Sequence, residues 1–170
     1  PADRPEPAAY PTEPSEPVQR PSCHPGRSAQ RGVEGSRAAS ASALFDLHCH
    51  LDFDPDTRAA AQVLAELCIG AFSTTVMPEG YERARGLLEP FGNVRVGLGL
   101  HPWWIADGRL GPQDVALFER LAKDERFIGE VGLDFGRDRA ETRDAQVAAF
   151  ERVARACAGG GKVLSIHAVK

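Results

Sequence analysis

The sequence is poor in the features that would assign a class at a glance. It has four cysteines, Cys23, Cys49, Cys68 and Cys157, with no C-x-x-C pair and no small-domain disulfide spacing. That usage fits reduced thiols inside a cell, with Cys68 and Cys157 expected in the core. No apolar run approaches the roughly 18 residues of a membrane span, and the N-terminus lacks the apolar centre of a signal peptide. A cytoplasmic location without a membrane partner is the default, and no stable protein partner can be inferred. Positive charge is not in excess either. The formal net charge is −4 and the isoelectric point about 5.7, which argues against a protein that holds nucleic acid on a broad basic surface. Any nucleic-acid substrate would have to be gripped locally.

Larger apolar side chains are scarce in residues 1–43, where only Tyr10, Val18 and Val33 occur, while eight of the 13 prolines lie at or before Pro25. Burial on that scale cannot offset the entropy lost on ordering, so 1–43 reads as a disordered tail containing Pro, Ser and Arg. Its five acidic and five basic residues balance, which is unlike a basic nucleic-acid arm. The run Pro11-Thr12-Glu13-Pro14-Ser15-Glu16-Pro17 fits a solvated tail better than a polyproline-type ligand.

From Leu44 onward, short β-branched or apolar runs alternate with stretches of helical period, the pattern of βα units on a parallel sheet. Strands are expected at Leu44–His48, Phe72–Val76, Asn93–Leu98, Phe127–Val131 and Lys162–Ile166. Helices are expected near Arg58–Cys68, Glu79–Leu88, Gln113–Ala122 and Arg139–Ala158. The first helix would bury Ala60, Val63, Leu64 and Leu67 and close at Gly70. The last would bury Val147, Phe150, Ala154 and Cys157 and end at Gly159-Gly160-Gly161. Pro90 stops the second helix, and Pro112 suits the first turn of the third.

Five such units could form an open doubly wound sheet or the N-terminal part of a TIM-type (β/α)₈ barrel, which typically needs about 200 residues or more. Length favours the open sheet; the histidines favour the barrel, and residues 44–170 would then be an incomplete one. The start at Pro1 agrees with a fragment.

Four of the five histidines each follow an expected strand: His48 and His50 the first, His101 the third, His167 the fifth. The C-terminal strand ends of a parallel fold share one face, so these rings would converge there. Spacing of two sends His48 and His50 to the same side of an extended segment, with Cys49 pointing away, a sound start for chelating zinc or a related ion. Glu130 lies in the apolar, glycine-rich run Phe127-Ile128-Gly129-Glu130-Val131-Gly132, where burying a carboxylate demands a cation or strong hydrogen bonds. With His167 these make a metal site, and a carboxylate between histidines could bridge two divalent ions that activate water and clamp an ester or phosphoryl oxygen.

Asp52 and Asp134 could each orient a ligating imidazole or assist proton transfer, Asp134 with the stronger claim. Asp46 could accept a hydrogen bond from a neighbour. His101 could donate to a phosphate or carbonyl oxygen, whereas Trp103 and Trp104 are better read as closing the rim of the core than as stacking on a base.

The stretches Phe45-Asp46-Leu47-His48-Cys49-His50-Leu51-Asp52, Gly99-Leu100-His101-Pro102-Trp103, Ile128-Gly129-Glu130-Val131-Gly132-Leu133-Asp134-Phe135 and Ile166-His167-Ala168 resemble, in order, the TatD family of metal-dependent hydrolases, often described as deoxyribonucleases, among the amidohydrolase-like barrels. The resemblance implies two divalent ions, zinc, magnesium or manganese. His48 and His50 would bind one, His167 the other, and Glu130 both. It implies hydrolysis of phosphodiester bonds in DNA, exonucleolytic in mode, or of other esters. It also implies a further histidine and an aspartate from later strands, neither of which lies within residues 1–170, so the fragment itself is expected to be impaired. Val169-Lys170 stands where many members carry an arginine, and lysine lacks its bidentate fork. The competing readings are a phosphoesterase of the polymerase-and-histidinol-phosphatase type, which also opens on H-x-H, and a non-catalytic fragment working through its tail.

Overall fold

The computed structural model describes residues 44–170; the tail expected over 1–43 lies outside the described residues. The elements are β1 (Leu44–Cys49), α1 (Thr57–Glu66), β2 (Ile69–Thr74), α2 (Pro78–Leu88), β3 (Val94–Leu100), α3 (Pro102–Ala106), α4 (Pro112–Leu121), β4 (Phe127–Asp134), α5 (Arg143–Cys157) and β5 (Val163–Val169), with short 3-10 turns at Leu51–Phe53 and Arg137–Thr142. Every strand pairs parallel with the next, in the order β1-β2-β3-β4-β5. A doubly wound sheet reverses its strand order at a switch point; this one never does, so its winding is that of a barrel. The α/β fold, five strands of a partial TIM-type barrel, is the one expected. Among the described residues no helix is long and apolar enough to cross a membrane.

The helices cover the central strands from outside. Leu98, Leu100, Ile128 and Val131 pack with Phe118 of α4 and with Ala149, Val153 and Cys157 of α5. A second cluster joins Ala71, Val94, Leu51 and Ala61 to Ala84 and Leu88 of α2. Prolines open α2 and α4, where a missing N–H costs nothing, and Asp114 accepts from Gly111 N–H at 2.8 Å to close the start of α4.

Several boundaries move. Strand β2 begins at Ile69, three residues before expectation, because Gly70 is a buried strand residue and does not end the helix. The left-handed position after α1 falls instead on Cys68, at φ 55°. The buried stripe of α1 is Thr57 and Ala61, with Val63 and Leu67 exposed, and that of α5 runs through Gln146, Ala149, Val153 and Cys157 rather than through Val147 and Ala154. Strand β5 continues to Val169. Cys49 and Cys157 are free thiols. Cys68 is only half-buried, where a core residue was expected.

Glycine at position 99 has a structural cause. A Cβ there would sit 1.6 Å from the Thr75 carbonyl oxygen. Through that opening the same oxygen accepts from Glu130 N–H at 3.1 Å. The backbone of β4 is thus pinned to the end of β2 at the residue whose carboxylate matters most.

Candidate metal centre

The structure brings His48, His50, His101, Glu130, Asp134 and His167 to one end of the sheet. Glu130 is the hub and is 8% exposed. Its Oε2 lies 3.5 Å from His48 Nε2 and 3.3 Å from His50 Nε2. Its Oε1 lies 3.3 Å from His101 Nε2 and 2.9 Å from His167 Nδ1. Each oxygen of one carboxylate therefore faces its own pair of imidazoles. Glu130 lies within its strand, as expected, and His167 sits within its strand rather than after it, because β5 runs farther than its apolar core suggests.

Hydrogen-bond partners sort the rings. His50 Nδ1 is 2.6 Å from the Thr74 carbonyl oxygen; a carbonyl only accepts, so Nδ1 carries the proton and a neutral ring turns its Nε2 lone pair toward Glu130. His101 is the reverse. Its Nδ1 accepts from Trp103 N–H at 3.1 Å, so the neutral ring carries its proton on Nε2, aimed at Glu130. His167 Nε2 meets Asp134 Oδ2 at 2.9 Å, which leaves Nδ1 for the Glu130 side. His48 Nδ1 is 2.9 Å from Ser165 Oγ.

The carboxylates are charged. Burial pushes Glu130 up, but the close approach of the His101, His50 and His167 rings to its two oxygens overcomes it and holds the carboxyl far below the usual range. Burial likewise opposes ionisation of Asp134, and the Trp103 indole, His167 and Gly136 N–H bring it down to about 2. The Glu130 hydrogen bond, aided by Thr74 and opposed by burial, raises His50 above its ordinary value. Burial, with Asp46 and Asp52 nearby, lifts the Cys49 thiol to about 11, so it stays protonated and is no thiolate donor.

These donors fit divalent metal. His48, His50 and Glu130 form one group, and His101, Glu130 and His167 another, with the candidate ligand atoms of each within 4.8 Å of one another. Imidazole lone pairs facing an ionised carboxylate oxygen repel it unless a cation or a proton lies between. His101 is the weakest member as a ligand, since its Nε2 bears the proton. A pocket of about 410 Å³ opens over the cluster, lined also by Phe53, Trp103, Trp104 and Arg109.

Sequence reasoning missed several parts. Trp103 is 41% exposed, and its indole Nε1 donates to Asp134, so it shapes the site and does not merely close the rim. Trp104 does pack against the core. Gln146 is fully buried and holds Asp134 by its backbone, accepting from the N–H at 2.8 Å and donating to the carbonyl at 2.7 Å; a lone polar residue on an apolar helix stripe was the available signal. Asp46 caps the His48 N–H at 3.0 Å. Asp52 is not drawn into the cluster; burial raises it, and its Oδ1 has no hydrogen-bond partner among the described residues.

Imidazoles and carboxylates gathered at one end of a parallel, barrel-wound sheet define a class, the metal-dependent hydrolases on (β/α) scaffolds. Sequence comparison makes this specific: the family model described as TatD related DNase matches residues 45–170, and the chain belongs to that family. It is also 35% identical over 103 residues to a protein of Escherichia coli (strain K12) named as the uncharacterized metal-dependent hydrolase YjjV. That match covers 56% of this chain and 39% of the relative, so the chain spans about two-fifths of that protein's length.

Proposed function

We propose that this chain carries the first ligands of a two-metal site that hydrolyses phosphodiester bonds, with DNA as the substrate and exonucleolytic attack at a strand end. The observation that carries the proposal is the Glu130 carboxylate divided between two imidazole groups at 2.9–3.5 Å. The family description supports the nuclease reading.

His48 and His50 would hold one ion, His167 a second, and Glu130 both. Three imidazoles and a carboxylate suit zinc or manganese better than magnesium, which prefers oxygen donors and retained waters. Such ions, when bound, supply Lewis acidity and a nucleophile from water near neutral pH. The chain's own side chains do the rest. The Nε2–H of His101 is placed to donate to a substrate oxygen beside Glu130. Asp134 keeps the His167 ring in orientation and offers a charged acceptor for a proton. The pocket admits a strand end without a basic surface, in keeping with the acidic isoelectric point.

Metal content after dialysis against zinc or manganese, combined with cleavage of an end-labelled single-stranded oligonucleotide, tests the proposal. Wild type is expected to retain two ions and Glu130→Ala fewer than one, with cleavage falling by about a hundredfold or more. A wild type that retains a single ion removes the two-metal form. Undiminished cleavage by Glu130→Ala removes the site altogether. Preference for a phosphomonoester over DNA would move the substrate to the phosphoesterase alternative.

A further inference from the structure

We propose that Ser165 is a positioning residue for His48: its hydroxyl accepts from Nδ1–H, fixes the ring tautomer, and so sets the metal affinity of the His48–His50 half of the site. The inference rests on the reading above that this half binds a divalent ion.

His48 stands apart from the other rings. His50 is anchored by a backbone carbonyl, His101 by a backbone N–H and His167 by a buried carboxylate. The His48 side chain is 44% exposed, and Ser165 Oγ at 2.9 Å is the Nδ1 partner among the described residues. An exposed imidazole without such a partner exchanges both its ring flip and its tautomer with water, and its Nε2–H tautomer turns a protonated nitrogen toward Glu130. With Nδ1–H donated to the hydroxyl, Nε2 is bare and directed at Glu130 Oε2, 3.5 Å away.

The fold explains why a serine reaches this place. Ser165 is the single polar residue of the run Val163-Leu164-Ser165-Ile166. Side-chain alternation puts it on the same face as His167, and the parallel register sets it opposite Glu130. The bond therefore joins β1 to β5, the first and last strands of the sheet, across the site. One half of the metal centre depends on how far the sheet curls.

The test uses the full 170-residue chain, ¹⁵N-labelled, in three forms: wild type, Ser165→Ala and Ser165→Thr. In metal-free protein, long-range imidazole ¹H–¹⁵N spectra are expected to show His48 as the Nδ1–H tautomer in wild type and Ser165→Thr, and a tautomer mixture in Ser165→Ala. Calorimetric titration with zinc is expected to show one binding event weakened about tenfold in Ser165→Ala, the other unchanged, and recovery in Ser165→Thr. Equal weakening of both events, or a His48 tautomer unaltered by the loss of the hydroxyl, overturns the proposal. A wild type that binds no zinc overturns the metal-site reading instead, and the tautomer spectra still decide the Ser165 link.

Discussion

At the scale of single residues the site is an arrangement of opposed titrations. Asp134 is held at about 2 against an ordinary 3.8, so its contribution is complete above pH 3.8 and is lost as the pH falls through about 2. Glu130, also depressed, acts in the same direction. His50 has the opposite sign. Its folded value lies above the ordinary 6.5, so its contribution is complete below pH 6.5 and is lost as the pH rises through the folded value. The metal-free protein is therefore expected to be most stable between about pH 4 and 6.5. Melting temperatures in EDTA across pH 2–9 check this; a Tm climbing steadily above pH 6.5 would contradict it. Metal should reverse the alkaline limb, because the ion takes the place of the proton between His50 and Glu130. The ligand types were legible at this scale: two histidines at spacing two and a carboxylate in an apolar strand declare themselves. Their hydrogen-bond partners were not. Thr74 acts through a backbone carbonyl, which every residue has, and Ser165 lies 117 positions from His48.

Among elements, the helix α5 and the strand β4 meet at a polar contact inside an apolar interface. Gln146→Leu leaves the buried N–H and carbonyl of Asp134 without partners, and each such group costs about 1–3 kcal/mol. A loss of about 3 kcal/mol in urea-unfolding free energy is expected, together with weaker zinc binding as Asp134 loosens. A variant as stable as wild type would show that water replaces the amide. Glycines separate by location rather than by type. Gly99→Ala puts a methyl 1.6 Å from the Thr75 oxygen and is expected to prevent folding or to destabilise by about 4 kcal/mol or more. Gly86→Ala, in α2 with nothing within 4 Å, is expected to stabilise by about 0.5–1 kcal/mol. Circular-dichroism melts of the two would settle the contrast. Element type and order were readable from periodicity, but helix faces were off by a residue because apolar side chains occur on both sides of α1 and α5. The burial of Ala61 and Gln146 follows from which neighbour each turn meets.

For the molecule as a whole, the two end strands carry much of the exposed large apolar surface of the described residues. Leu44, Phe45 and Leu47 of β1 and Val163, Ile166 and Val169 of β5 are each 43–71% exposed, and each strand has a single pairing neighbour among the described residues. Unpaired strand edges with apolar flanks favour association with further chain. The 170-residue protein is expected to self-associate, with sedimentation and melting that depend on concentration, and Ile166→Lys is expected to reduce both effects. Sharp, concentration-independent unfolding of a monomer would refute this. The same surface measures how the site is supported, since His48 and His167 stand on those two end strands.

The amino-acid sequence by itself determined the alternation of strands and helices, the parallel sheet and the candidate donors, because periodicity, helix-breaking residues and expensive buried charges are local properties. Tertiary structure decided which donors face one another. Register places Ser165 beside Glu130, the absence of a Cβ at Gly99 lets β2 hold β4, and sheet curvature brings β1 to β5. Each of these is a relation between segments distant in the chain, fixed by backbone hydrogen bonding and packing, and no window of sequence contains it.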